Sequence, residues 1–226
     1  MTQKPFSIAI DGPAGAGKST VAKAVAEALG AVYLDTGAMY RTVGLFMHEK
    51  GFDSIADIAD SVGEANIGVE FMEGRQHMFL DGADVTEAIR SPEASMLASK
   101  VGGVAQVRTR LVELQREFAQ GHSVVMDGRD IGTDVLPNAT LKIFLTASCE
   151  VRAERRFQEL AQKGVEESYD QVLREIIQRD YNDMHREVSP MRQAEDAIYV
   201  DTSLLTVQDA VNRIVEEAEK RGVKRV

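Results

Sequence analysis

The sequence predicts an α/β fold in which a central parallel sheet of five strands is covered by helices on both faces. Short apolar runs of strand length recur along the chain, and most are separated by stretches in which apolar residues follow the helical period. The strands are predicted at residues 6–10, 31–34, 123–126, 141–145 and 198–200. The helices are predicted near residues 18–29, 38–49, 104–119, 149–162, 168–184 and 206–221.

Length and composition are those of a globular protein that can bury a full core. The chain has 226 residues, of which 44% are hydrophobic and 27% charged, and this length suits one domain with insertions. No apolar run approaches the roughly 20 residues that a membrane helix needs, and the chain enters its first strand without a signal sequence. We therefore expect a cytoplasmic protein with no membrane partner.

The net charge, the single cysteine and the spacing of the four histidines argue against several classes of function. The net charge of −10 argues against a broad nucleic-acid surface. The single cysteine, Cys149, excludes an intrachain disulfide and any metal site built from several cysteines, and we expect it to be a small core-facing residue. No histidine has the spacing of a metal site or a catalytic triad, and we expect all four to be structural or exposed: His48, His77, His122 and His185.

A glycine-rich loop between the first strand and the first helix is the most specific signal in the chain. Gly12, Gly17, Lys18 and Ser19 have the spacing GxxxxGK[ST], in which backbone N–H groups turn toward phosphate oxygens. Lys18 would then reach the outer phosphates, and the Ser19 hydroxyl would bind Mg2+. A glycine-rich surface turn is the alternative, but the flanking strand and amphipathic helix favour nucleotide binding. The predicted loop comprises Gly12, Pro13, Ala14, Gly15, Ala16, Gly17, Lys18, Ser19 and Thr20.

Polar residues follow the second strand in the segment DTGAMYR, which begins at Asp35. Because ligands of open α/β sheets bind at the carboxyl ends of the strands, this segment should line the same crevice as the phosphate loop. Asp35 or Thr36 could equally cap the next helix. Arg41 lies near the start of that helix, where a positive charge is unfavourable next to the helix dipole. Its position therefore indicates that it binds an anion.

The third strand runs into Asp127-Gly128-Arg129-Asp130. A carboxylate at the end of a strand beside a phosphate loop often helps to hold Mg2+, and Asp127 has that position, as an outer-shell contact. Arg129 is suited to a phosphate, and Asp130 to a base or an amine. A turn that Asp and Gly form for structural reasons alone is the alternative.

Arginines are concentrated on two predicted helices that follow. Arg152, Arg155 and Arg156 can share one helical face, and so can Arg179, Asp183 and Arg186. A solvated, salt-bridged face is the usual explanation of such charges. Because these helices follow a phosphate loop, we prefer the interpretation that the arginines bind phosphates. Transfer of a γ-phosphoryl group requires positive charge next to its equatorial oxygens, and guanidinium groups supply that charge.

The stretch from about Ile67 to Lys100 breaks the alternation of strands and helices. Its first part, IGVEFMEGRQHMFLDGADV, is typical of short antiparallel strands joined by turns at Glu73-Gly74 and Asp81-Gly82. We expect an inserted subdomain here.

Taken together, these segments resemble the bacterial cytidylate kinases over essentially the whole chain. The resemblance is carried by DGPAGAGKST, YLDTGAMYR, DGADVTEAIRSPE, VRTRLVELQR, VMDGRDIGTDVLP, RAERRFQEL and QRDYNDMHREVSPM. Many kinases share the phosphate loop, whereas the DGADVTEAIR insert and the DGRDIGT turn are far more specific. The resemblance implies a P-loop kinase fold with a monophosphate-binding insert and a mobile helical lid. It also implies transfer of the γ-phosphoryl group of ATP, with Mg2+, to CMP or dCMP.

The resemblance further implies roles for single residues. Thr36, where some members carry serine, resembles with Arg108 and Asp130 the contacts to the cytosine edge. Ser99, Arg179 and Asp183 resemble the sugar contacts. Arg41, Arg129 and Arg186 resemble the clamp on the acceptor phosphate, and Arg152, Arg155 and Arg156 the lid arginines that close over ATP. Asp35 and Tyr40 complete the implied acceptor site, and the implied catalytic residues are Lys18, Arg129, Asp130 and Arg186.

The expected organisation is a core at residues 1–62, 104–148 and 186–226, with a monophosphate-binding insert at 63–103 and a lid at 149–185. We expect a monomer whose partners are ATP and CMP or dCMP, with no nucleic-acid partner. Two alternatives stay open: a phosphotransferase for another small acceptor, such as UMP or shikimate, and a non-catalytic nucleotide switch. The arginine-rich helices count against the switch.

Overall fold

The computed structural model describes residues 5–52 and 54–225 and confirms the predicted α/β class. The strands are β1 (Ser7–Asp11), β2 (Val32–Asp35), β3 (Ile67–Met72), β4 (Arg75–Leu80), β5 (Ala83–Asp84), β6 (Val124–Gly128), β7 (Leu141–Thr146) and β8 (Ile198–Asp201). The α-helices are α1 (Lys18–Ala28), α2 (Thr36–Glu49), α3 (Ile55–Ser61), α4 (Pro92–Val101), α5 (Ala105–Gly121), α6 (Cys149–Gln162), α7 (Tyr169–His185) and α8 (Val207–Lys220). The ends of every predicted strand and helix fall within two residues of the observed ends.

Five strands form the parallel sheet, in the spatial order β2-β6-β1-β7-β8. Both faces of the sheet are buried, because successive residues of its central strands enter different cores. In β1, Ile8 and Ile10 pack into one core and Ala9 into the other. In β6, Val125 belongs to the first core and Met126 to the second. This arrangement explains why the strands are continuous apolar runs, and each fully buried large aliphatic side chain contributes about 1.5–3 kcal/mol.

The insert contains the predicted antiparallel strands, paired in the order β3-β4-β5. Both predicted turns are confirmed. Glu73 and Gly74 have φ of 52° and 74°, and Asp81 and Gly82 have φ of 50° and 86°. Two consecutive residues with positive φ match the right-handed twist of the paired strands.

The elements of the described residues that were not predicted are two α-helices, two short 3-10 helices (Val62–Glu64 and Ala88–Arg90) and one turn. α3 has seven residues with only Ile58 buried, so its apolar period is too short to see, although Ser54 and Asp57 form a capping box. α4 follows the segment that predicts antiparallel strands, and Ser91 caps it by accepting a hydrogen bond from the Ala94 N–H. A single π-type turn at Ile131–Val135 follows β6.

α6 and α7 pack against each other around a small core of their own, formed by Ala153, Leu160, Val172 and Ile176. These two helices are the segment that the sequence predicts to be a lid. In the part of the chain that the structure describes, no helix is both long enough and apolar enough to span a membrane.

Candidate active site

A cleft of about 520 Å³ opens at the carboxyl ends of β1, β2 and β6. Its walls come from the phosphate loop, α2, α4, α5, α6 and α7, so it joins both arginine-bearing helices to the loop. The predicted site residues that line it are Ala14, Gly15, Lys18, Ser19, Asp35, Thr36, Tyr40, Arg41, Ser99, Arg108, Asp127, Arg129, Asp130, Arg156, Arg179, Asp183 and Arg186. The predicted residues outside its lining are Gly12, Pro13, Ala16, Gly17, Thr20, Arg152 and Arg155.

The phosphate loop depends on glycine at two positions. Gly12 has φ 145°, and a Cβ there would lie 1.9 Å from the Leu145 carbonyl oxygen, so no other residue fits. Gly17 has φ 89° and begins α1, which has no side-chain cap and no acidic residue in its first turn. The positive end of α1 is therefore available to an anion.

Lys18 is buried in the loop, where its Nζ donates a hydrogen bond of 2.7 Å to the Pro13 carbonyl. Burial and, second to it, the positive charge of the nearby Arg129 lower the pKa of Lys18 to about 7. A bound phosphate would raise the pKa of Lys18 again, because a nearby negative charge favours the protonated amine.

Ser19 and Asp127 lie at the floor of the cleft. The Ser19 hydroxyl donates a hydrogen bond of 2.9 Å to Asp127 Oδ2, and the Tyr33 hydroxyl donates one of 2.7 Å to Oδ1. Burial raises the pKa of Asp127, and the neighbouring carboxylate of Asp35 raises it further. The pair offers oxygen ligands next to a phosphate site, as Mg2+ requires when it keeps most of its waters.

Among residues 5–52 and 54–225, no cluster of three or more His, Cys, Asp or Glu side chains forms a metal cage. Cys149 is the first residue of α6 and is half-buried; its Sγ accepts a hydrogen bond of 3.1 Å from Arg152. His77 pairs with Asp84 at 3.0 Å, and the His122 ring stacks on Phe118.

Asp35 lines the cleft and also caps α2. Its Oδ1 caps α2 by accepting a hydrogen bond from the Ala38 N–H, and its Oδ2 accepts one of 2.9 Å from Arg41. Thr36 is the first residue of α2 and donates a 2.7 Å hydrogen bond to the Asp127 carbonyl. Gln76 of β4 bonds both the N–H and the carbonyl of Asp35, which ties the insert to the sheet at this point.

Asp130 lies between two arginines deep in the cleft. It forms an ion pair with the buried Arg108 of α5, and its Oδ1 accepts a hydrogen bond of 3.0 Å from Arg186. Burial raises the pKa of Asp130, while both guanidinium groups oppose that shift. Arg108 also lies over the Tyr40 ring, 5.8 Å from its centroid, and burial raises the pKa of Tyr40 to about 12.

Arg129 and Arg179 concentrate positive charge near the phosphate loop. Arg129 donates a hydrogen bond of 2.7 Å to Asp183, and this pairing outweighs burial and raises the pKa of Arg129. Arg179 is almost as buried, and its Nε has no hydrogen-bond partner in the described part of the chain. Burial lowers the pKa of Arg179, and the neighbouring Arg129 lowers it further. Because Arg129 and Arg179 repel each other in one wall of the cleft, their positive charges favour the binding of an anion there.

The three α6 arginines are placed differently from one another. Arg152 bonds the carbonyls of Ala14 and Ala147 and pairs with Asp180 at 2.6 Å. Arg155 donates a 2.8 Å hydrogen bond to the Thr202 carbonyl. Within this set of three, Arg156 lines the cleft, where it pairs with Glu159 at 3.0 Å.

Several residues in or next to the site escaped prediction, among them Asp11, Tyr33, Gln76 and Gln115. Tyr33 and Asp11 lie on strands and could have been inferred from their positions beside the carboxyl ends. Gln115 lies on the apolar face of α5 and Gln76 in the insert, and both positions depend on packing between segments distant in sequence.

Comparison with known proteins agrees with this geometry. The sequence profile of the cytidylate kinase family matches residues 8–220. The cytidylate kinase of Caldicellulosiruptor bescii is 52% identical over 215 residues, which cover 94% of this chain and 95% of that one. The cytidylate kinase of Streptococcus pneumoniae is 48% identical over 221 residues, 96% of this chain and 99% of the relative.

Among solved structures, an uncharacterized protein from Eubacterium ventriosum superposes with a TM-score of 0.52 at 14% identity, covering 96% of this chain and 99% of that one. That likeness concerns the fold alone. The sequence matches extend through the insert, the DGRDIGT turn and both arginine helices as well as the phosphate loop, and on this ground the chain belongs to the cytidylate kinase family.

Proposed function

We propose that the protein transfers the γ-phosphoryl group of ATP to CMP or dCMP, forming ADP and CDP or dCDP. One observation carries the proposal: a single cleft has the phosphate loop at one end and the Asp130 carboxylate, flanked by Arg108 and Arg186, at the other. The first suits a donor triphosphate and the second a polar base. The names of the relatives support the same assignment.

The donor half of the site is the loop from Gly12 to Thr20 with α1. Its backbone N–H groups would bind the phosphates, and the buried Lys18 would neutralise their charge as transfer proceeds. Ser19 and Asp127 fit Mg2+, Ser19 as a direct ligand and Asp127 through water, since Mg2+ takes few protein ligands beside phosphates. When bound, Mg2+ would supply positive charge against the charge that develops on the phosphates.

In the acceptor half, Asp130 would accept a hydrogen bond from the exocyclic amino group of cytosine, and Arg108 and Thr36 would complete the edge. Uracil presents a carbonyl oxygen at the same position, which would face the carboxylate unfavourably. Ser99, Arg179 and Asp183 are proposed to contact the sugar. Arg41, Arg129 and Arg186 are proposed to bind the acceptor phosphate, because guanidinium groups bind phosphate oxygens in pairs.

The chemistry requires alignment and charge neutralisation more than a protein nucleophile. Arg129 and Arg186, next to Asp183 and Asp130, would hold the attacking phosphate in line with the donor. Arg156 would meet the donor phosphates from α6, while Arg152 and Arg155 would hold the loop on which those phosphates rest. Closure of residues 149–185 over ATP, as a lid, would exclude water and limit ATP hydrolysis.

We further propose that residues 63–103 form the monophosphate-binding insert and that the remaining segments form the core. The enzyme is proposed to act in the cytoplasm, where its nucleotide substrates are found. It is proposed to act as a monomer.

The test is ADP release, measured by a coupled assay, with CMP, dCMP, UMP, AMP and shikimate as acceptors. We expect the highest kcat/KM with CMP or dCMP. Faster turnover with any other acceptor would overturn the assignment. The Lys18→Ala variant serves as background control, and a near-normal rate in it would remove the phosphate loop from the mechanism.

A further inference from the structure

Asp11 connects the two halves of the cleft through its side chain. It is the last residue of β1, directly precedes Gly12 of the phosphate loop, and is only 4% exposed. Its Oδ1 accepts a hydrogen bond of 2.7 Å from the Ile131 N–H, and its Oδ2 accepts one of 2.7 Å from the Gly132 N–H. One carboxylate therefore joins the start of the phosphate loop to the turn that follows Asp130.

The two N–H groups are the first of the π-type turn at Ile131–Val135, so the turn itself offers them no acceptor. The other end of the turn is closed by its own backbone, since the Asp134 and Val135 N–H groups bond the Asp130 carbonyl at 2.9 and 3.2 Å. Asp11 thus acts as an N-terminal cap supplied by a distant strand. Without it, two buried backbone donors would lose their partners.

Gly132 permits this close approach. A Cβ at Gly132 would lie 3.3 Å from Asp11 Oδ2 and 3.1 Å from the Lys142 side chain of β7. Space for the carboxylate therefore depends on the absence of a side chain at this position.

The arrangement is held at a cost. Burial raises the pKa of Asp11 to about 6, against the opposing effect of its two backbone hydrogen bonds. The charged groups that face it are Asp130, which contributes to raising the pKa, and Lys18, which opposes the rise. The two backbone hydrogen bonds thus hold the Asp11 carboxylate in a position where burial and the charge of Asp130 both disfavour its ionised form.

We propose that Asp11 is a positioning residue that fixes the turn after Asp130 and so directs the Asp130 carboxylate at the acceptor. Because Asp11 adjoins Gly12, the same side chain sets the acceptor-binding turn relative to the phosphate loop. This proposal rests on the proposed function, since it uses Asp130 as an acceptor contact. Asp11 touches neither substrate and acts through the backbone of residues 131 and 132.

The first test is Asp11→Asn. The asparagine amide can accept one of the two N–H groups, but its own NH2 would face the other. We expect the KM for CMP to rise about tenfold, while the KM for ATP changes by less than about twofold, because the carboxylate holds the turn and not the loop amides. Amide hydrogen exchange of the segment 129–136, measured without substrates, should become faster.

Asp209→Asn is the matched control. Asp209 belongs to the capping box of α8, is not part of the cleft lining, and accepts one backbone hydrogen bond, from the Thr206 N–H. We expect it to leave both KM values and the exchange of segment 129–136 unchanged. Gly132→Ala is the second test variant, because it keeps the Asp11 charge and displaces the carboxylate. It should reproduce the CMP-selective rise in KM.

Equal increases in the KM for CMP and the KM for ATP would overturn the proposal, because they indicate a general brace of the fold. Unchanged exchange in segment 129–136 would also overturn it. Failure of the proposed function would look different: wild-type enzyme would prefer another acceptor, whereas the exchange experiment uses no acceptor and would still decide the role of Asp11 in the turn.

Discussion

The Ser19 hydroxyl donates a hydrogen bond of 2.9 Å to the carboxylate of Asp127, although the two residues lie 108 positions apart. Ser19 belongs to the first turn of α1, and Asp127 to the end of β6. The parallel pairing of β1 with β6 brings these two oxygens together beside the phosphate loop.

The first prediction concerns this pair. Asp127→Asn should raise the Mg2+ concentration at half-maximal turnover about 10- to 100-fold, because the amide removes the negative charge that would orient the waters of the metal. The assay is initial rate against free Mg2+, with binding of Mn2+ followed by electron paramagnetic resonance as a readout independent of turnover. Asp209→Asn should leave both curves unchanged. An unaltered Mg2+ dependence in Asp127→Asn would remove Asp127 from the proposed metal site.

The second prediction concerns the choice of base. Asp130→Asn should shift the ratio of kcat/KM values for CMP and UMP toward UMP by about tenfold, because an amide can donate to a carbonyl oxygen as well as accept from an amino group. The KM for ATP should change by less than about twofold. Both quantities come from steady-state kinetics with the two acceptors. A constant ratio, or an equal loss of ATP binding, would contradict a role at the base.

The third prediction separates two arginines of one helix. Arg152→Met should lower the free energy of unfolding by about 3–5 kcal/mol, because it leaves the Asp180 carboxylate buried without its partner. Arg156→Met should change stability by less than about 1 kcal/mol, since its pair with Glu159 is exposed, yet should lower kcat/KM for ATP about tenfold.

Urea denaturation and steady-state kinetics of the two variants provide the comparison. If Arg152→Met is as stable as the wild type but loses ATP turnover, Arg152 contacts ATP directly instead of holding the loop. If Arg156→Met keeps full activity, α6 contributes no charge to the donor phosphates.

The fourth prediction is a pH dependence of stability. Burial raises the pKa of Asp11 from 3.8 to about 6 in the folded protein, so on acidification the folded state binds this proton before the unfolded state does. The cost of the buried charge is fully present above about pH 6 and disappears as the pH falls to about 4. A pKa difference of about 2 corresponds to roughly 3 kcal/mol.

Urea denaturation of wild type and Asp11→Asn between about pH 7 and 4 tests this sign. The stability of the wild type relative to the variant should increase as the pH falls through that window. A difference that stays constant would show that Asp11 does not titrate there.

The fifth prediction concerns Gln115, a fully buried residue of α5 whose two amide atoms have no partner among the described residues. Gln115→Met keeps the volume and removes two unpaired polar atoms, so the free energy of unfolding should rise by about 1–3 kcal/mol. Gln158→Met, on the exposed surface of α6, is the control and should change stability by less than about 0.5 kcal/mol. A loss of stability in Gln115→Met would mean that the amide is satisfied in solution.

The phosphate loop, the order of strands and helices, and the two turns of the insert were determined by the sequence itself. Each is local: the GxxxxGK[ST] spacing lies within one turn, a strand is one apolar run, and Asp81-Gly82 needs only its own backbone. For this reason every predicted strand and helix end falls within two residues of the observed one. α4 begins with an equally local signal, the Ser91 cap, although no helix was predicted there.

Only the tertiary structure decided which charged side chain meets which. Local spacing places three arginines of α6 on one face of the helix. The packing of α6 against α7 and the loops then separates them: Arg152 pairs with Asp180, Arg155 donates to the Thr202 carbonyl, and Arg156 lines the cleft. Likewise the sequence shows Asp11 only as a residue at the end of a strand. The folded sheet places its carboxylate against the N–H groups of Ile131 and Gly132. Such pairings depend on the relative placement of segments that lie 28 to 121 residues apart, and no local pattern records that placement.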